Sequence, residues 1–156
     1  MDVAGFTDLV RERERSLYRI AYSYLHSDAD AADAVQDALL RAWEKRASLR
    51  QPQYFGTWLT RILINRCKQM LRERRPQYAL QEHHAISSDD GIENLELSIA
   101  LDHLDAKYRM PLLLFHLEGF SVKETAAILR LPQNTVKSRL ARARQRLNDL
   151  LTQQEV

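Results

Sequence analysis

Between Ser121 and Leu150 the chain permits little besides two helices joined by a tight turn. Ser121 and Glu124 stand three apart, as in a capping box, and predict the start of the first helix. Ala126, Ala127 and Ile128 supply its packing face. Leu131-Pro132 then interrupts the pattern, and proline favours the first turn of a new helix. Val136, Leu140, Ala143, Leu147 and Leu150 recur at helical spacing and predict one buried stripe. Lys137, Ser138, Ala141, Arg142 and Gln145 fall together on another face. Residues 133–147 hold five Lys/Arg and no Asp/Glu. An apolar back with a cationic, hydrogen-bonding front is what reading the DNA major groove requires. A solvated basic helix of a bundle is the plainer alternative. The capped helix before it, the short turn and the acid-free front argue against that alternative.

The rest of the chain also follows helical periods. A first helix is predicted from about Thr7 to Leu25, burying Leu9, Val10, Leu17, Ile20, Ala21 and Tyr24. A second, capped by Asp28 or Asp30, runs to about Lys45 with Val35, Ala38, Leu39, Ala42 and Trp43 inward. Residues 46–53 form a loop holding Pro52. A third helix spans about Tyr54 to Arg75, with Phe55, Trp58, Leu59, Ile62 and Leu71 inward, and Pro76 stops it. Helices are predicted over about 93–104, 106–118, 121–130 and 132–152, with Pro111 bending one of them and Gly119 suited to a C-terminal cap. No segment alternates apolar and polar residues long enough to predict a strand. The expected fold is all-α: two small helical domains, 1–75 and 93–156, joined by a flexible acidic linker, 76–92.

A net charge of +2 says little, but its distribution says more. Residues 61–75 carry six Lys/Arg against one Glu. Residues 76–106 carry seven Asp/Glu and no Lys/Arg. Two basic patches thus flank an acidic middle, and each patch suits phosphates held by counterion release. On the third helix, Arg61, Asn65, Lys68 and Arg72 recur at about one-turn spacing and line one face, a stripe able to follow a nucleic-acid backbone.

Enzyme chemistry finds little support. There is no Gly-rich phosphate loop, no His-Glu-x-x-His and no pair of Cys-x-x-Cys motifs, so neither cofactor nor metal is expected. His83-His84 lack a neighbouring Cys, and His26, His103 and His116 are scattered, so surface or packing roles suit them. The carboxylates of the second helix lack an apolar pocket that would split their pKa values, and read as a solvated face. The single Cys67 allows no internal disulfide and suits a reducing cytosol. The N-terminus has no signal-peptide pattern, and no apolar run approaches the roughly 18 residues a membrane span needs. No membrane insertion and a cytoplasmic location are expected.

The run Thr135-Val-Lys-Ser-Arg-Leu-Ala-Arg-Ala-Arg144 resembles the promoter-binding signature of the extracytoplasmic-function sigma factors of bacterial RNA polymerase. Asp33-Ala-Val-Gln-Asp-Ala-Leu-Leu-Arg-Ala-Trp43 is similar to that family's core-polymerase-binding helix. Phe55-Gly-Thr-Trp-Leu-Thr-Arg-Ile-Leu-Ile-Asn65 is similar to its helix that melts and reads the −10 element. The resemblance covers nearly all of the chain apart from residues 76–94. It implies a sigma factor that binds core RNA polymerase, recognises promoter DNA and answers to an anti-sigma factor, in a stress or envelope response. It places −35 recognition on Asn134, Thr135, Lys137, Ser138, Arg139, Ala141 and Arg142. It places −10 recognition on Ser48, Leu49, Arg61, Asn65, Lys68 and Arg72, with the 46–53 loop trapping a flipped base. It places core binding on Asp33, Gln36, Asp37 and Leu40, against a coiled coil of the large polymerase subunit.

The chain departs from the family pattern at four positions. Ala32 and Ala34 stand where members usually carry Glu and Leu, which implies a weaker polymerase contact. Arg130 and Asn134 stand where members commonly carry Gly. Arg130 is therefore expected at positive φ, at a cost of about 1 kcal/mol. The rival reading is a stand-alone helix-turn-helix regulator that binds an operator as a dimer. Such a regulator needs neither the acidic face of the second helix nor the second basic stripe.

Overall fold

The computed structural model describes residues 1–74 and 95–154. Among these residues every regular element is helical. They form two compact units, one holding residues 1–74 and the other residues 95–154. The linker segment 76–92 lies outside the described residues, as do His83 and His84.

The N-terminal unit contains α1 (Val3–Arg11), α2 (Glu14–Leu25), α3 (Asp28–Glu44) and α4 (Phe55–Glu73). Its core is Leu17, Ile20 and Leu25 of α2 with Leu59, Leu63 and Ile64 of α4, none more than 1% exposed. Burying each such side chain contributes roughly 1.5–3 kcal/mol. α1 adds Phe6, whose ring meets Trp43 edge-on at 5.3 Å and Phe55 at 5.8 Å.

The expected first helix is thus two helices, broken at Glu12–Arg13, where Arg13 takes φ −120° and ψ 1°. No Gly or Pro marks the break. It lies where the Arg13 guanidinium passes over Gly56, so close that a Cβ at Gly56 would stand 2.4 Å from it.

Ser27, rather than Asp28 or Asp30, caps α3: its backbone is extended and its Oγ accepts the Asp30 amide at 3.2 Å. The two aspartates are engaged elsewhere. Asp28 accepts the Tyr18 hydroxyl. Asp30 accepts Arg74 Nη2 at 2.7 Å, and the same nitrogen donates to the Leu25 carbonyl at 2.8 Å. Arg74 therefore ties the end of α4 to the α2–α3 corner.

α3 buries a stripe of alanines, Ala31, Ala34, Ala38 and Ala42, while Val35, Leu39 and Trp43 are only half-buried at its flanks. Small side chains let α3 lie close to α2 and α4, so the large apolar residues cover the edges of the contact. Ala34 is buried here, which makes it a packing position, not an outward contact with the polymerase.

In α4 the buried residues are Phe55, Gly56, Leu59, Thr60, Leu63, Ile64 and Cys67. Trp58 and Ile62 are half-buried and Leu71 is 37% exposed, so the inward face is rotated from the one expected. Burial pushes the Cys67 thiol up to about 12, outweighing the opposing charges of Arg66 and Arg74, so this sulfur packs as a small apolar group.

The C-terminal unit contains α5 (Leu95–Asp102), α6 (Ala106–Leu112), α7 (Val122–Leu129) and α8 (Gln133–Gln154). Val136, Leu140 and Ala143 of α8 are buried with Ala100, Leu101, Leu104, Met110, Leu113, Leu114 and Ile128. Leu147 and Leu150 are half-buried, so the α8 stripe loosens toward its end.

Pro111 has no amide hydrogen to offer the carbonyl four residues earlier. The chain responds by passing from α6 into a π-helical turn at Leu113–Leu117, closed by the Glu118 amide on the Leu113 carbonyl at 3.0 Å. Gly119 follows at φ +77°, the left-handed conformation expected of a C-terminal cap. Ser121 and Glu124 make the reciprocal capping bonds of α7 at 2.9 and 3.0 Å. α7 buries Thr125, Ala126 and Ile128, while Ala127 is exposed. Arg130 ends α7 at φ 57°, the positive value expected of it.

Candidate nucleic-acid interface

α7, the turn at Arg130–Pro132 and α8 form a helix-turn-helix. Its turn is held by the Arg130 and Leu131 amides, both donating to the Ala126 carbonyl, Leu131 at 3.0 Å. Pro132 offers its carbonyl to the Val136 amide at 3.1 Å and so opens α8. With Val136, Leu140 and Ala143 anchored, the opposite face presents Asn134, Lys137, Ser138, Ala141 and Arg142 to solvent. Thr135 and Arg139 are half-buried at the rim. All seven residues expected at the −35 element thus lie on or beside one exposed surface.

Two other cations of α8 are held within the unit. Arg144 Nε donates to His116 Nε2 at 3.1 Å, and Arg146 lies over the Tyr108 ring, 4.5 Å from its centroid. Burial and the Arg144 charge hold His116 below the usual imidazole range, which keeps its ring neutral and able to accept that bond. Tyr108, missed in the sequence because it is 34 positions from Arg142 along the chain, is a buried α6 residue. Arg142, more than the nearby charges of Lys107 and Arg146, holds the phenol below its ordinary value against the opposing effect of burial.

In the N-terminal unit, Asn65, Lys68 and Arg72 are exposed along α4 and Arg61 is half-buried. Their 61, 65, 68, 72 spacing puts them in one row. The loop before α4 is built from two 3₁₀ turns, Arg46–Ser48 and Pro52–Tyr54. It is fastened to α4 by Trp58 Nε1, which donates to Ser48 Oγ at 3.3 Å, while Ser48 Oγ donates to the Lys45 carbonyl at 2.7 Å. Arg46 lies over the Trp43 ring at 3.7 Å. Ser48 is exposed and Leu49 half-buried, so a polar atom and an apolar side chain adjoin at the head of the cationic row.

On α3, Asp33, Gln36 and Leu40 are exposed, Leu40 by 64%. Asp37 differs, because its carboxylate accepts Arg66 Nε of α4 at 2.8 Å and is half-buried. Local spacing carries no sign of this pairing, which spans 29 positions. The outer face of α3 is therefore one apolar anchor among Asp33 and Gln36, with Asp37 at its edge already sharing a cation.

Two sigma-factor family models match the chain: Sigma-70 region 2 over residues 9–77 and Sigma-70, region 4 over residues 95–147. The ECF RNA polymerase sigma factor SigM of Mycobacterium tuberculosis is 34% identical over 156 aligned positions, spanning 96% of this chain and 79% of that protein. The sigma factor RpoE of Bartonella quintana, solved in complex with the anti-sigma factor NepR, superposes with a TM-score of 0.83 at 29% identity, covering 96% of this chain and 98% of that one. CnrH, solved in complex with the cytosolic domain of CnrY, superposes at 0.74 with 28% identity, covering 97% and 90%. The region 2 match falls on α1–α4 and the region 4 match on the helices that include the helix-turn-helix, and the chain belongs to the ECF RNA polymerase sigma factors.

Proposed function

We propose that the chain joins core RNA polymerase through the outer face of α3 and delivers it to promoters that two separate surfaces read. Asp33, Gln36 and Leu40 grip the polymerase, with Asp37 beside them. Ser48 and Leu49 receive an unpaired base of the −10 element, while Arg61, Asn65, Lys68 and Arg72 follow the strand. Lys137, Ser138, Ala141 and Arg142 meet base edges of the −35 element, and Asn134, Thr135 and Arg139 meet phosphates. The chain does no chemistry of its own; it supplies recognition and strand opening in the cytoplasm. The polymerase-binding and −10 functions belong to residues 1–75 and the −35 function to residues 93–156. The observation that carries the reading is the coexistence of two exposed basic surfaces with an acidic, leucine-bearing α3 face. An operator-binding dimer has no use for that face.

RpoE, solved in complex with the anti-sigma factor NepR, supports an inhibitor that covers the DNA-binding surfaces of this chain, and we place that control in a stress or envelope response.

Mixing with core polymerase tests the reading. The chain should co-migrate with the enzyme and support initiation from promoters selected out of a random library. Asp33→Arg should abolish competition for polymerase while leaving helical content unchanged. A chain that bound DNA as a dimer and ignored polymerase would restore the regulator.

A further inference from the structure

Tyr54 stands where the fold alone favours a different residue. It immediately precedes α4 and makes no side-chain cap. Ser, Thr, Asp and Asn are preferred at that position because their oxygens accept a free amide of the first turn, which a tyrosine ring cannot do. The ring is also 53% exposed. The other two aromatic residues of the loop and α4 are committed to packing. Phe55 is 1% exposed. Trp58 is half-buried, with its ring 5.9 Å from that of Phe55 and its Nε1 donating to Ser48 Oγ at 3.3 Å. Tyr54 is the aromatic side chain of this corner that is open to a ligand.

Its position says which ligand. Trp58, Arg61, Asn65, Lys68 and Arg72 follow Tyr54 at alternating spacings of four and three, so the ring heads the row along α4. Trp58 shares that row and its bond reaches Ser48, so the ring adjoins the loop. A cationic track with an exposed aromatic ring is how proteins hold single strands: cations follow the phosphates and the ring stacks on a base. The mounting is stiff. The Tyr54 amide donates to the Gln51 carbonyl at 3.0 Å and closes the 3₁₀ turn Pro52–Tyr54, in which proline fixes one φ. A tyrosine has only two side-chain torsions to order, so binding costs it little freedom.

We propose that Tyr54 is a stacking platform for one base of the opened promoter strand, the neighbour of the base received by Ser48 and Leu49. The inference rests on the −10 reading of that loop and deepens it. Two adjacent bases are held apart from their duplex partners, one by the loop and one by the face of the ring. Every base has a face to stack, so Tyr54 adds to strand capture and opening more than to sequence preference.

The test uses the full chain in complex with core polymerase and a premelted promoter selected from a random library. Abasic sites are scanned along the unpaired −10 strand for the original chain, Tyr54→Phe, Tyr54→Ala and a Ser48→Ala/Leu49→Ala double variant. Tyr54→Ala should weaken capture of the unpaired strand by about tenfold, and Tyr54→Phe should retain it. One abasic position should weaken the original chain and Tyr54→Phe alike but leave Tyr54→Ala unchanged, because the ring has already lost its partner. That position should lie beside the one to which the loop variant is insensitive. The salt dependence of binding should keep its slope in both Tyr54 variants, since no phosphate contact is removed. Competition for polymerase and the melting temperature should not change. If every abasic position weakens Tyr54→Ala as much as the original chain, the platform is overturned alone. If Tyr54→Ala lowers competition for polymerase or the melting temperature along with strand capture, the ring serves that contact or the fold, and the inference falls. A loop variant with no insensitive position of its own overturns the −10 reading of the loop and the inference with it.

Discussion

Arg130 carries a side chain where the backbone favours glycine. Its φ of 57° is the left-handed conformation that ends α7 and starts the turn into α8. A side chain there clashes with its own backbone by about 1 kcal/mol, and glycine avoids the clash. Arg130→Gly should therefore stabilise the C-terminal unit by about 1 kcal/mol, raising its melting temperature by roughly 4–8 °C for a unit of this size. No gain in a thermal melt would mean that the Arg130 side chain makes compensating contacts.

His116 gives the residue scale a second test, in acid. Its pKa is lowered in the folded unit, so over part of the range below 6.5 the unfolded chain binds a proton that the folded chain refuses. Stability is then full above the unfolded value and is lost as pH falls through the folded one. Protonation removes the acceptor for Arg144 and sets two cations together beside the leucines at 97, 101, 112, 117 and 147. His116→Gln should flatten the fall in melting temperature between pH 7.5 and 5.5 relative to the original chain. Parallel curves would locate the acid sensitivity elsewhere.

At the scale of elements, what could be read from the sequence was what is local. The capping box of α7, the break at Leu131-Pro132 and the front of α8 all depend on neighbours within a turn or two. They stand in the structure as the spacing predicts. The features that escaped depend on partners far along the chain. Arg66 reaches Asp37 across α3 and α4, Arg146 lies over the Tyr108 ring across α6 and α8, and the α1–α2 break follows from packing against α4. The alanine stripe of α3 escaped for another reason. A helix that must approach two neighbours closely buries its smallest residues, and a pattern search looks for the largest. The row on α4 and the loop at 46–53 were both legible, but the Trp58 to Ser48 bond that fastens the loop was not, because it is a tertiary contact. Asn65→Ala should leave polymerase binding intact and impair open-complex formation on duplex promoters. A premelted bubble should rescue most of the loss, since the unstacking free energy is then supplied in advance. A bubble that gives no rescue would move Asn65 from DNA contact to folding.

For the whole molecule the central fact is that each unit has its own core, and on the proposed reading each carries its own DNA surface. Joining them makes the second contact intramolecular, and the gain depends on the tether and not on any new contact. Linked sites of this kind commonly exceed either alone by 10²–10⁴ in apparent affinity, provided both can engage at once. Replacing the stretch around Asp89 and Asp90 with a protease site would allow the chain to be cut without touching either core. Each half should keep its helicity and melt as before, and the N-terminal half should still compete for polymerase. Promoter-specific initiation should fall by about 100-fold, because the −35 surface returns to free solution at micromolar concentration. The loss should shrink as the C-terminal half is added in excess, which a chain damaged by cutting would not show. Full initiation from the cut holoenzyme would mean that polymerase itself holds the C-terminal half in place, and that the covalent link contributes little to promoter choice.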